Sequence, residues 1–144
     1  MQPDTLYVFA NYGVLPFWLL LALLPHHRIT RALVHSGLVP LLLGALYIWG
    51  FATAQPAQDA DALTLTGAMS LLQDRHMMLA AWVHYLIFDL FVGAWQVRDA
   101  RRRGVPHWLV VPGLFATLMA GPVGLLWYLV VRFVRDRSWR LDER

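Results

Sequence analysis

The chain has 144 residues, 58% of them hydrophobic and 15% charged, with a formal net charge of +3. That is too apolar for a soluble domain of this length and fits a small membrane protein, organised as one integral-membrane domain over residues 1–144. All 12 basic residues are arginines and there is no cysteine, which excludes a retinal Schiff base, a disulfide, an iron–sulfur cluster and thiolate chemistry.

Four apolar segments follow one another: Leu6–Leu24, Ala32–Ala54, His76–Val97 and His107–Val134. Each is long enough to cross a hydrocarbon core of ~30 Å as a helix of ~20 residues. Helices also satisfy their backbone hydrogen bonds internally, which a lipid environment demands. The first segment has no basic leader before it and no small-residue cleavage site after it, so it is read as a retained span. Pro16, Pro40, Pro112 and Pro122 are expected kinks. Trp18, Trp49, Trp95, Trp108, Trp127 and Tyr128 lie toward segment ends, where amphipathic rings anchor at the interface. Between the second and third segments, LTLTGAMSLLQ (63–73) predicts a short interfacial helix. The sequence thus predicts an all-α fold, a four-transmembrane-helix bundle.

The charges suggest an orientation. Arg28 and Arg31 follow the first segment, and Arg98, Arg101, Arg102 and Arg103 follow the third, so both loops are expected in the cytoplasm. The loop carrying Asp59, Asp61 and Asp74 then lies outside. A single crossing by the fourth segment would put Arg132, Arg135, Arg137, Arg140 and Arg144 outside as well, against the rule. A re-entrant hairpin at Gly121-Pro122 would remove the conflict. Each half of it would reach only ~21 Å, so a single kinked span is the expectation. Basic residues at segment ends point to lipid headgroups, and no nucleic acid is expected as a partner.

The third segment carries the stretch WVHYLIFDLFVGAW (82–95). A carboxylate at mid-bilayer costs ~2.5–3.5 kcal/mol on insertion scales, so Asp89 needs a partner or a task. Trp82, Tyr85, Asp89, Val92 and Gln96 recur at spacings of three and four, forming one stripe expected to face the bundle interior. His84 lies five residues before Asp89, about 140° around the helix, and is expected to face a neighbouring span, for example Asn11 or Tyr12. His84, Tyr85 and Asp89 are the candidate catalytic groups, able to act as general acid or base. Asn11, Trp82 and Gln96 are the candidate substrate-binding groups. The alternative for the polar trio is interhelical hydrogen bonding without chemistry. The histidines His26, His27, His35, His76, His84 and His107 include no pair spaced to share a metal ion, so no metal and no cofactor are expected. Asp99, flanked by arginines, is read as a surface charge balance worth little.

The stretch GAMSLLQDRHMMLAAWVHYLIFDLFVGAWQVRDARRRGVPH, followed by GPVGLLWYLVVR and preceded by AN at 10–11 and LPFWLLLALLP at 15–25, resembles the neoxanthin-synthase-like (abscisic-acid-deficient-four-like) family, in its bacterial branch. The resemblance runs over nearly the whole chain. It implies a small four-helix membrane protein and marks Trp82, His84, Asp89, Asp99, Gly121, Pro122 and Gly124 as pattern positions. In plants the implied reaction isomerises violaxanthin: an epoxide opens and an allene forms with no net redox change. Such a step needs an acid at the epoxide oxygen and a base at the neighbouring carbon–hydrogen bond. The expectation is an isomerase or related enzyme acting on a carotenoid or other isoprenoid lipid, multi-pass in a bacterial inner membrane. Its partners would be membrane lipids and a hydrophobic small-molecule substrate. The alternative is a non-enzymatic pigment- or lipid-binding subunit that supports a partner membrane enzyme or forms a homo-oligomer. A channel or transporter is weaker, because only one helix is strongly polar within the membrane.

Overall fold

The computed structural model describes residues 2–137, so the expected basic tail is covered only in part and Arg140 and Arg144 lie outside the described residues. The regular elements among them are helices: α1 (Pro3–Leu23), α2 (Arg28–Leu33), α3 (Leu38–Thr53), α4 (Leu65–Leu71), α5 (Arg75–Arg102), α6 (His107–Ala120) and α7 (Pro122–Asp136). Three stretches are long and apolar enough to cross a membrane: Pro3–Leu23, Arg28–Thr53 and Arg75–Arg102.

Local chemistry sets the boundaries. Asp74 starts α5, its Oδ1 accepting the amides of His76 at 2.9 Å and Met77 at 2.8 Å. The Met77 amide, outweighing a small desolvation, holds the Asp74 carboxyl below its ordinary range. The helix then runs 28 residues, through Arg98, Arg101 and Arg102, which were expected in a loop. It stops at Gly104, whose φ of +65° suits glycine, with the Val105 amide bonded back to Ala100 at 2.9 Å. The short helix expected in the acidic loop is present as α4. Thr64 caps it, accepting the Gly67 amide at 3.1 Å. The amides of Thr64 and Leu63 hold the Asp61 carboxyl low.

Two expectations are corrected. The second segment is broken between α2 and α3, where Gly37 adopts a φ of +79° and the Ser36 hydroxyl turns back onto the Ala32 carbonyl. Pro40 falls in the first turn of α3, where its missing amide hydrogen is no loss, so it marks a helix start and not a kink.

The fourth segment is not one kinked span. It breaks at Gly121 into α6 and α7, of 14 and 15 residues, with Pro122 opening α7. The two helices fold back on each other. Trp127 Nε1 donates to the Leu109 carbonyl at 3.0 Å. A Cβ on Gly124 would collide with Thr117 and with the Gly113 carbonyl, and one on Gly113 would meet Trp127 at 2.8 Å. Glycine on both sides lets the backbones approach closely enough to hold a hairpin.

The chain divides into two compact units. The first comprises residues up to Val14 together with Leu38–Ile87, and Ala10, Leu79 and Val83 form its core with Tyr7, Leu43, Leu46 and Tyr47 packed on them. The second comprises Leu15–Gly37 and the chain from Phe88 onward. It buries Trp18 and Leu21 of α1, Leu90, Ala94 and Val97 of α5, Val110 and Leu114 of α6, and Tyr128 of α7. Trp18 and Tyr128 are therefore core residues, where the sequence suggested interfacial anchors.

Candidate functional site

In the first unit, the polar groups of α1, α3 and α5 form a cluster of aromatic rings. Trp82 Nε1 donates to Asn11 Oδ1 at 2.9 Å, and Asn11 Nδ2 donates to the Tyr7 carbonyl at 2.8 Å. The Tyr7 ring lies 5.4 Å from that of Trp82. Asn11 therefore meets Trp82. The His84 ring sits 6.2 Å from Tyr47 and 6.3 Å from Tyr85, on the exposed side of the helix. Tyr85 is 60% exposed, so the stripe expected to face inward turns outward at this level. The inward positions are taken by Leu79, Ala80 and Val83, aliphatic side chains that pack against the neighbouring helices.

In the second unit the stripe continues along α5 and meets the α6–α7 hairpin. Asp89 is half-buried at the hairpin's tip, its carboxylate against Gly121, where a Cβ would strike it. Among the described residues that carboxylate has no hydrogen bond and no charged partner. One turn on, Gly93 leaves room for Trp18 and Leu114; a Cβ there would meet the Trp18 ring at 2.8 Å. Gln96 is fully buried and donates its amide to Thr117 Oγ1 at 3.0 Å, while Thr117 donates to the Gly113 carbonyl at 2.8 Å.

Below these lies Asp99, only 2% exposed, which corrects its reading as a surface charge. Tyr128 donates to its Oδ2 at 2.7 Å and Arg132 Nε lies 3.2 Å from the same oxygen. Arg103 Nε donates to Oδ1 at 3.1 Å, and Arg102 stands at 3.8 Å. Arg132, expected in a solvated tail, is fully buried. The Trp95 ring meets Tyr128 edge-on at 5.4 Å.

The geometry joins the two stretches WVHYLIFDLFVGAW and GPVGLLWYLVVR, and the comparisons follow the same lines. A family model described as ABA DEFICIENT 4-like matches residues 5–128. The chain belongs to the ABA DEFICIENT 4-like family. It is 22% identical over 147 residues to the Arabidopsis thaliana protein named ABA DEFICIENT 4, chloroplastic, covering 95% of this chain and 64% of that one. The chain thus spans less than two thirds of that relative's length. No solved structure matches it.

Asp99 was marked as a pattern position but read as a surface charge, and Tyr128 and Arg132, which join it, were not expected in the polar stripe. A signal existed: Asp99 follows Gln96 by three residues, which makes the two neighbours on α5. Tyr128 and Arg132 are four apart and share a face of α7. Chemically, the stripe holds one saturated acid, Asp99, and one acid, Asp89, without a hydrogen-bonding or charged partner among the described residues. Among the described residues no three His, Asp or Glu side chains cluster to hold a metal ion.

Proposed function

We propose that this protein is a membrane isomerase or related enzyme acting on a carotenoid or other isoprenoid lipid, with Asp89 as the group that exchanges a proton with the substrate. The observation that carries the reading is the Asp89 carboxylate, set in an apolar helix against Gly121 and without a protein partner among the described residues. An acid that no neighbour neutralises is available for general acid–base work. Family membership supports the same direction. His84 and Tyr85 remain second-line candidates for proton transfer, with Asn11, Trp82 and Gln96 as candidate substrate contacts. Gln96 would reach a substrate only by releasing Thr117. Membrane lipids and an apolar small molecule are the partners in this reading.

The topology belongs to the same proposal. Three stretches cross, and the α6–α7 hairpin enters and returns on the side it left. Arg132 and Arg135 then share a side with Arg98 and Arg101–Arg103, as the charge rule asks, and a bacterial inner membrane accommodates the whole.

A binding subunit without catalysis is the second reading. It is favoured by the exposure of Tyr85 beside His84, which offers aromatic surface to a pigment, a partner membrane enzyme or another copy of the chain.

The test is a deletion strain complemented with wild type or Asp89→Asn, its pigments and lipids separated by isomer-resolving chromatography. Enzymatic action predicts a compound restored by wild type and absent with Asp89→Asn at equal folded-protein level. A carboxylate near the start of α7 also interacts with that helix's positive end, worth ~0.3–1 kcal/mol. A purely structural Asp89 would therefore show lowered stability with full product, and that result would sink the proposal.

A further inference from the structure

An apolar groove with a volume of 290 Å³ runs between α1 and α6 in the second unit, lined by Leu15, Trp18 and Ala22 on one side and Val111, Leu114 and Leu118 on the other. Its direction is fixed by His107, whose Nε2 lies 2.9 Å from the Ala22 carbonyl, placing the first turn of α6 beside the last turn of α1. Ala22 and Val111 therefore mark one end, and Leu15 and Leu118 the other, ~10 Å away along α1. The flanks Leu19 and Phe115 are exposed at 60% and 66%, so the groove lies in a wall that faces hydrocarbon.

The Ala22 end opens on basic groups. His26 stands four residues beyond it, with its basicity lowered first by partial burial and then by the nearby charges of Arg101 and His107. No carboxylate is among the charges acting on it. The acid nearest in sequence to Arg101, Asp99, is occupied by Tyr128, Arg132 and Arg103. A groove sized for one acyl chain thus ends near three basic side chains, and among the described residues no carboxylate acts on His26.

We propose that this groove and its basic end form a binding site for an anionic phospholipid, with the phosphate held at His26, Arg101 and His107 and one acyl chain laid along Trp18 and Leu114. The apolar lining selects against a free anion, which cannot use it. The basic cluster selects against a zwitterionic lipid, which brings its own cation. The site makes no use of Asp89 and stands whatever reaction Asp89 serves.

The test uses the full-length protein in detergent, with lipid retention counted by native mass spectrometry. The probes are phosphatidylglycerol, phosphatidylcholine with the same chains, and inorganic phosphate. Wild type should retain phosphatidylglycerol in preference to phosphatidylcholine and show no competition from inorganic phosphate. His26→Gln and Arg101→Gln change exposed side chains; Arg101→Gln should weaken phosphatidylglycerol about fivefold, as expected for one arginine at a lipid surface, and His26→Gln should weaken it less. Ala22→Phe keeps every charge and fills the groove, and should cut retention by a similar factor. Leu118→Trp fills the other end and is read in its place if Ala22→Phe does not fold. Equal retention of the two lipids by wild type overturns the site. So does a folded groove-filling variant that holds phosphatidylglycerol as wild type does, because attraction to the basic surface would then suffice. Displacement by inorganic phosphate also overturns it.

Discussion

Replacing Asp99 by asparagine keeps the shape of the side chain and removes its charge. Asp99 is 2% exposed and Arg132 is fully buried, so the substitution removes a carboxylate that stands 3.2 Å from a buried guanidinium. Breaking a buried pair from one side costs about 3–5 kcal/mol. The hydrogen bond from Tyr128 largely survives, because the asparagine carbonyl still accepts it. Arg103, four residues along α5, loses a pairing worth a few tenths of a kcal/mol, about the value of an i,i+4 pair. The expected loss is therefore about 3–4 kcal/mol, a large part of the 5–15 kcal/mol typical of a folded domain, about which the buried arginine decides most. Equilibrium unfolding in mixed micelles measures it, and the near-ultraviolet signal of Trp95 against Tyr128 reports the same packing locally. Adding Arg132→Met to Asp99→Asn should recover most of the loss, since exchanging both members of a buried pair for neutral groups is close to neutral. A loss under about 1 kcal/mol for Asp99→Asn, or a double variant whose effects simply add, would refute the reasoning. Arg132 would then find another anion or water.

Gly124→Ala should cost about 1–3 kcal/mol, because its Cβ can be accommodated only by parting α6 from α7; Gly13→Ala, with open space around it, should be neutral or slightly stabilising in the same unfolding assay. The chain has no cysteine, so single cysteines at His27, Arg135 and Ala57 can be labelled from either side of sealed vesicles. Labelling of His27→Cys and Arg135→Cys from one side and Ala57→Cys from the other is expected; Arg135→Cys reacting with Ala57→Cys would rule out a returning hairpin. Asp74→Ala should lose about 0.5–2 kcal/mol through the missing cap of α5. Because folding depresses the Asp74 carboxyl from its ordinary 3.8, that contribution is complete above this value and fades as pH falls through the lower, folded one. The gap between wild type and Asp74→Ala should therefore close in acid; a gap that persists would refute a charge-based cap.

What could be read from the sequence was local. Apolar length located α1 and α5, and the stretch LTLTGAMSLLQ located α4. Pro40 and Pro122 misled because a proline in the first turn of a helix and one inside a helix look alike until the preceding glycine is seen to break the chain. The fourth segment is long enough for one span, and its fold-back depends on Gly113 meeting Gly124, a pairing across a turn that hydropathy does not register. The stripe through Trp82, Tyr85, Asp89 and Gln96 had the right period, but the neighbours of α5 change along its length, so Tyr85 turns outward while Gln96 is enclosed. Asp99 was hidden by its own sequence context. Its adjacent arginines suggest a solvated surface, while its burial comes from Tyr128 and Arg132, about thirty residues later.

The hairpin explains why the two most distinctive stretches of this chain belong together. GPVGLLWYLVVR packs along α5, with Gly121 against Asp89, Tyr128 against Trp95, and Tyr128 and Arg132 on Asp99. Its two acids are thereby given different work. Asp99 is surrounded by donors and anchors a buried arginine, which keeps α7 folded back and its basic end with the other arginines. Asp89 stands against Gly121, a residue small enough to let it approach. A glycine there does not neutralise the carboxylate; it leaves space beside it. If Gly121 served only to turn the chain, an alanine would disturb the turn alone, but its Cβ would also displace Asp89. Gly121→Ala should therefore impair function together with folding, whereas a change that relaxes the hairpin at its basic end, such as Tyr128→Phe, should weaken folding while leaving Asp89 in place and activity per folded molecule largely intact.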